Sequence, residues 1–329
     1  MSATIKEIAS KASVSIATVS RALNNDPRVV KKTREQIIKI AKSLEYRPNI
    51  LAQSFAKKKS NLIGLILPEI SDEFFTEIIK GVDEIAFSQK FYTIVASSHK
   101  YKSLKEEIVT FIKSGFLSGI ILLASNLDDE LIKILFEGNL PIVLINSDKK
   151  IKKFERVAID DYQGAYAMTQ YLIKIKNYKF LSHISGPVMN DDANLRKSGF
   201  IDACKNFKVK YIIENGDFSK EAGYDACKRI MERSERAQVI FAANDMMAIG
   251  CYNYLRQNNL EIPKDVAIAG FDDVFVSQYL DPPLTTVRVN VEEVGKQAAA
   301  LLLNKIHRLN GKPSSVINIP AELIIRKSC

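Results

Sequence analysis

Hydrophobic positions recur with a helical period at the start of the chain, in short stretches separated by sharp interruptions. Ile5, Ile8 and Ala9 share one face of a first predicted helix. Ala12-Ser13-Val14 breaks the period. Ser15 is a good N-cap for a second helix, which turns Val19 and Leu23 inward and leaves Thr18, Ser20 and Arg21 outside. Two helices joined by so short a turn form the unit that lays its second helix in a DNA major groove. Asn24-Asn25-Asp26-Pro27 reads as a turn. A third helix is predicted over 31–44, with Thr33 as its cap and Ile37, Ile38, Ile40, Ala41 and Leu44 as its apolar face. Tyr46 is expected to pack across this small bundle before Arg47-Pro48-Asn49 ends it. The stretch 49–56, with Asn49 as cap, is too short to be a stable helix in water alone and suits a segment that folds on DNA.

From residue 61 the pattern changes. Continuous apolar runs at 62–67, 91–96, 119–123 and 141–145 read as buried parallel strands, separated by helical patterns near 74–88, 103–115 and 128–137. A second series has strands at 179–184, 209–213, 238–242 and 265–269, with helices near 164–175, 194–206, 219–233 and 245–257. A helix over 291–309, flanked by short strand candidates, follows. Such alternation means parallel sheets covered by helices on both faces, and two series mean two doubly wound lobes. The fold class is therefore an all-α helix-turn-helix headpiece followed by an α/β domain of two lobes.

Charge sharpens the first module. Residues 1–60 carry 13 Lys and Arg against 4 Asp and Glu, a net of +9, whereas the other 269 residues carry 34 of each. A basic module on a neutral body is the footprint of a nucleic-acid binder. A solvated basic surface would give the same count, but here the charge coincides with the two-helix motif. No apolar run reaches 18 residues and the chain opens without an apolar leader, which predicts a cytoplasmic protein with no membrane association. Cys204, Cys227, Cys251 and Cys329 lack metal-ligand spacing and read as small buried hydrophobes; His99, His183 and His307 are scattered. No metal site and no cofactor are expected.

The segments VSIATVSRALN, YRPN and LAQSFAKKKSNLIGLILP resemble the LacI/GalR family of bacterial transcription regulators, and the resemblance runs in order over the whole chain. It implies a periplasmic-binding-protein-like effector domain and three crossovers near 160–163, 288–291 and 318–321. The domains would be a headpiece at 1–47, a hinge helix and linker at 48–60, and an effector and dimerisation domain at 61–329. Its N-lobe would span 61–160 and 291–318, its C-lobe 162–288 and 321–329. Ile16, Ala17 and Arg21 would face base edges, while Ser15, Thr18 and Ser20 would hold phosphates. Thr4, Asn24, Tyr46, Asn49 and Ala52 complete the residues assigned to DNA, together with Phe55, which stands where the family has a Leu that wedges into the minor groove. A second departure is Ser13, where the family has Gly; a positive φ there would be mildly strained for serine.

The cleft between lobes, at the carboxyl ends of strands, is where such folds bind ligands. Asp72, Phe74, Asn146, Asn190, Asp192, Arg196, Phe218, Asn244 and Asp272 all follow strand ends and are assigned to the effector. Acidic and amide side chains suit vicinal hydroxyls, and aromatic faces suit sugar rings. Asn244 and Asp160 have a structural use as well, as helix caps, and Phe75 reads as core. Arg196 and Asp272 rank first because no local partner is apparent for either. The family's acidic residue at position 146 is replaced by Asn, so no particular sugar is implied.

The function expected is a sequence-specific regulator, a repressor, that binds a pseudo-palindromic operator as a homodimer and answers to a small sugar-like effector. The dimer is favoured because no heptad tail follows Leu309. Bound to operator, the protein would lie on the bacterial nucleoid. A solute-binding protein for carbohydrate uptake would share the lobes but has no use for residues 1–60. An enzyme is not expected: GxGxxG, GxxxxGK[ST] and GxSxG are all absent.

Overall fold

A computed structural model describes residues 4–46, 60–68, 70, 72–97, 104–123, 127–145, 154–307 and 315–329. The chain divides into two compact units, Met1–Ser60 and Asn61–Cys329. The expected hinge helix, with Asn49, Ala52 and Phe55, lies outside the described residues, as does Asn146.

The first unit holds α1 (Ile5–Ala12), α2 (Ile16–Leu23) and α3 (Lys31–Ser43). Thr4 caps α1 in a capping box: the Glu7 amide donates to Thr4 Oγ1, and the Thr4 amide donates to Glu7 Oε2 at 2.8 Å. Ser13 ends α1 in the left-handed region, φ 54° and ψ 42°, as its place in the turn requires. Ser15 accepts from the Thr18 amide at 3.1 Å and so caps α2. Ile8, Val19, Ala22, Ile37 and Ala41 form the core, with Tyr46 packed at its edge. The cap expected at Thr33 is not formed. α3 starts at Lys31, as predicted, so the cap position falls three residues before Thr33, on Val30, which offers no side-chain cap. The preceding turn is held instead by Arg34, whose Nη2 donates to Asp26 O at 2.7 Å and Val29 O at 3.1 Å.

The second unit is built on two six-stranded sheets. The first contains β1 (Leu62–Leu67), β2 (Tyr92–Ser97), β3 (Gly119–Leu123), β4 (Ile142–Ile145), β5 (Glu155–Ile159) and β11 (Val316–Ile319), in the order β2-β1-β3-β4-β5-β11 and parallel throughout. The second contains β6 (Phe180–Ser185), β7 (Lys210–Asn215), β8 (Val239–Ala242), β9 (Ala267–Asp272), β10 (Thr285–Val289) and β12 (Ala321–Ile324), in the order β7-β6-β8-β9-β10-β12 with only β12 antiparallel. Strand β5 has no counterpart among the sequence expectations. The crossovers run through Asp160, Asn290 and Pro320, the last being the single residue between β11 and β12.

Helices α4 (Glu73–Ser88), α5 (Leu104–Ser114), α6 (Asp129–Glu137) and α11 (Val291–His307) belong to the first lobe. Helices α7 (Asp161–Lys174), α8 (Asp191–Asn206), α9 (Lys220–Met231) and α10 (Asp245–Gln257) belong to the second. Glycine permits a close crossing in each lobe: a Cβ on Gly81 of α4 would stand 2.1 Å from Glu292 O of α11, and one on Gly250 of α10 2.1 Å from Lys220 O of α9. α7 and α8 begin three residues earlier than their apolar patterns suggest, because Asp160 and Asn190 cap them. No described helix is long and apolar enough to cross a membrane. The four cysteines are free and buried.

Candidate functional site

Two places stand out, one in each unit. In the first unit α2 turns Val19 and Ala22 inward, so its other face is in solvent. Ile16 is 45 % exposed, an unusual position for isoleucine in so small a core, and Ala17 and Arg21 are exposed beside it. The Arg21 guanidinium makes no hydrogen bond or ion pair among the described residues. Ser15 and Thr18 are joined by a 2.9 Å hydroxyl contact, and Asn24 turns its amide onto Ser20 O at 2.8 Å, ending the helix.

In the second unit a cavity of about 230 Å³ lies between the lobes. It sits where β1 meets β3 and β6 meets β8, the points at which strand order reverses in each sheet. The first lobe supplies Pro68, Asp72, Phe74, Phe75, Leu123 and Ile145; Asn190, Asp192, Arg196, Phe218, Asn244 and Asp272 come from the second. All eight described residues assigned to the effector therefore line one cavity. Three of them also serve as caps: Asp72 accepts from the Phe74 amide at 3.1 Å, Asn190 from Ala193 at 2.8 Å and Asn244 from Met247 at 2.9 Å. Asn244 also donates from Nδ2 to Phe218 O at 3.0 Å, fixing the loop that carries the ring. Gly186 makes room for that ring, since a Cβ there would lie 2.5 Å from Phe218 Cε1. Phe75 is buried, as a core residue should be, yet it reaches the cavity wall.

Arg196 is the cavity's electrostatic centre and does have partners. Its Nε donates to Asp161 Oδ1 at 2.7 Å and its Nη1 to Ala243 O at 2.7 Å. Nη1 also lies 3.0 Å from Asp272 Oδ1, an ion pair without hydrogen-bond alignment. The guanidinium stacks 3.8 Å above the Phe271 ring. The two residues expected to lack partners are thus partners of each other, through a pairing invisible in sequence. Burial opposes the charge on Arg196, but Asp272 and Asp161 outweigh it and raise its pKa. Burial lifts Asp272 to about 6 and Asp161 to about 8, with Arg196 pulling both the other way. Two sequestered carboxylates share one guanidinium, so the second has little to gain from ionising. Asp272 and Asp273 both hold left-handed backbone, φ 104° and 57°. A non-glycine residue at φ 104° costs about 1–3 kcal/mol and persists because its surroundings over-determine it.

Residues 4–49 match the model of bacterial regulatory proteins of the lacI family, and residues 177–329 match a periplasmic binding protein-like domain. Over 332 residues the chain is 30 % identical to catabolite control protein A of Priestia megaterium, covering 100 % of this chain and 99 % of that one. The chain belongs to the LacI family of bacterial regulators. It is also 31 % identical over 331 residues to the transcriptional repressor CytR of Escherichia coli K12, covering 99 % of this chain and 96 % of that one. The transcriptional regulator CelR in complex with cellobiose superposes with a TM-score of 0.76 at 25 % identity, over 99 % of this chain and 100 % of the other. The lac repressor dimer bound to operator and an anti-inducer shares the fold, with a TM-score of 0.87 at 24 % identity over 100 % and 99 %. With relatives of this kind matching from end to end, the uptake-protein alternative is not favoured.

Within this LacI-family chain, sequence reasoning passed over two residues of the site. Asp161, within the crossover near 160–163, is fully buried against Arg196. Asp217 lines the cavity while accepting from the Ser219 amide at 2.8 Å. The Gly216-Asp217-Phe218 loop after β7 carried the signal for the second. Nothing local carried the signal for the first. His183 is no ligand: it lies buried against Phe200 with Nδ1 2.8 Å from Phe241 O, and burial depresses it to about 3.

Proposed function

We propose that this LacI-family chain is a repressor that binds a pseudo-palindromic operator as a homodimer, with operator affinity set by a sugar-like ligand in the inter-lobe cleft. The carrying observation is the solvent face of α2, where exposed Ile16 and Ala17 adjoin an exposed Arg21 whose guanidinium makes no hydrogen bond or ion pair among the described residues. Arginine suits guanine O6 and N7, and small apolar side chains suit a thymine methyl. Ser15, Thr18 and Ser20, with Thr4, Asn24 and Tyr46, hold the flanking backbone and set register. The cleft residues Asp72, Phe74, Asn190, Asp192, Arg196, Phe218, Asn244 and Asp272 hold the ligand. The relatives named as regulators and the neighbour bound to cellobiose support this reading. The protein works in the bacterial cytoplasm, on the nucleoid when bound, and catalyses nothing.

Selection of random duplexes by the full chain tests it. An inverted repeat emerges, and Arg21→Ala flattens the preference at one position of each half-site, losing about 1–3 kcal/mol of discrimination. Enrichment without two-fold symmetry, or unchanged discrimination in Arg21→Ala, refutes the reading.

A further inference from the structure

With the cleft read as the effector site, as proposed above, its lining narrows the effector's chemistry. Three helices begin at the cavity and a fourth, α9, begins just beyond its Asp217 and Phe218; an uncapped helix N-terminus is where a phosphate or carboxylate binds. Here each start is already taken by the chain itself. Asp72 caps α4, Asn190 caps α8, Ser219 caps α9 and Asn244 caps α10. Acidic residues also stand in the first turn of each, including Asp192 in α8 and Asp245 in α10. One first-turn amide of each helix is thus occupied and the dipoles are partly offset by the nearby carboxylates.

The described side chains facing the cavity are acceptor-rich, although Asp72 and Asp217 each already accept from one backbone amide. Among the described lining residues Asp72, Asp192, Asp217 and Asp272 are carboxylates and Arg196 is the only cation. Arg196 is already committed to Asp161, Ala243 and Asp272. Asp272 Oδ1 is buried and makes no aligned hydrogen bond, its one charged neighbour being Arg196 Nη1 at 3.0 Å. Ionised carboxylates only accept, so the occupant must donate. Phe74, Phe75 and Phe218 supply an apolar wall for a ring face. At about 230 Å³ the cavity is smaller than the roughly 300–1,000 Å³ that larger ligands fill, which favours a single ring.

We propose that the effector is a cationic aminated monosaccharide, its ammonium among the carboxylates of Asp72, Asp192 and Asp272 and its ring face against Phe74 and Phe218. An ammonium brings three donors and no acceptor. A neutral hydroxyl also brings lone pairs, which find few donors among the described lining residues. A phosphate or carboxylate brings negative charge toward four carboxylates at distances where Coulomb repulsion is strong.

Calorimetric titration of the full chain decides the matter, using D-glucose, D-galactose and D-mannose, each beside its 2-amino, 2-acetamido and 6-phosphate derivative, at pH 6.5. One 2-amino sugar binds at least tenfold tighter than its parent, acetylation removes that gain, and the phosphates bind no tighter than the parents. Asp192→Asn then lowers the amine-to-parent affinity ratio about tenfold. A 6-phosphate that binds as tightly as the amine overturns the proposal, as does an amine with no advantage over its parent or an unchanged ratio in Asp192→Asn. Binding of a neutral or phosphorylated hexose without amine preference leaves the cleft reading standing. No binding by any of the twelve overturns both.

Discussion

Replacing Arg196 by methionine isolates the electrostatics of the cleft, because methionine keeps most of the side-chain length while removing the charge. Arg196 is 4 % exposed, Asp161 is fully buried and Asp272 is 11 % exposed. Breaking a buried ion pair by removing one partner typically costs about 3–5 kcal/mol, since the remaining carboxylate must either stay charged without compensation or take up a proton. For a unit of this size each kcal/mol is about 2–4 °C, so the melting transition of the 61–329 unit falls by about 10 °C at pH 7.5. The loss depends on pH, with a sign fixed by Asp272. In the wild type its folded pKa is raised to about 6, so proton-linked stability is full below its unfolded value and fades as pH rises through 6. Asp161, lifted to about 8, holds its proton in both proteins and adds no difference below that pH. Without Arg196, whose charge pulls it down, the pKa of Asp272 rises further, and the variant keeps losing stability over a range where the wild type has levelled off. One proton over 1.5 pH units is at most about 2 kcal/mol, so the penalty at pH 6 is smaller than at pH 7.5 by up to that amount. Urea unfolding followed by circular dichroism at both pH values measures it. A loss below about 1 kcal/mol, or one that grows as pH falls, refutes the account of Arg196 as the shared cation of two buried carboxylates.

Two further substitutions probe the headpiece in the intact chain through amide hydrogen exchange. Ser15→Ala removes the acceptor for the Thr18 amide, which weakens α2 by about 1 kcal/mol and speeds exchange of its first-turn amides about fivefold; unchanged protection would show that the cap is not holding the helix. Ser13→Gly relieves a left-handed serine by about 1 kcal/mol while adding about 0.5 kcal/mol of unfolded-state entropy, so α1 and α2 exchange slightly more slowly; faster exchange would mean that the Ser13 conformation carries no strain.

What the sequence revealed, and what it hid, divides by the range of the interactions. The α1–turn–α2 unit was legible because its cause is local: apolar spacing, then Ser13 and Ser15 acting on amides within a few residues. The helix starts at Asp161 and Asp191 slipped by three residues because apolar periodicity does not register the cap that opens a polar first turn. Strand β5 was missed because Glu155-Arg156 begins it, after a lysine-rich run, and only its pairing with β4 and β11 makes it a strand. The Arg196 cluster shows the same limit at the site. Strand ends nominated Arg196 and Asp272, but their 76-residue separation hid that one neutralises the other, and nothing near Asp161 foretold its burial.

That cluster also bears on how the cleft works. Every hydrogen-bond and ion-pair partner of Arg196 belongs to the second lobe or its entry: Asp161 at the start of α7, Ala243 after β8 and Asp272 at the end of β9. The polar half of the site is therefore fixed internally, whatever the first lobe does. The first lobe meets it chiefly through the start of α4, where Asp72 and Phe74 line the cavity and Glu73 Oε2 accepts from the Phe275 amide of the second lobe. The same helix is clasped to α11 by Lys80–Glu292 and by Lys296–Glu84. α11 in turn begins directly after the Asn290 crossover. A ligand held by the Arg196 cluster thus pulls on a helix start that is mechanically tied to one hinge strand. In Glu73→Gln the weaker acceptor still holds the lobes together, whereas Glu73→Ala removes the contact across the cleft mouth. Small-angle scattering of the unliganded chain then gives a larger radius of gyration for Glu73→Ala than for Glu73→Gln. Equal radii would show that α4 does not couple the lobes.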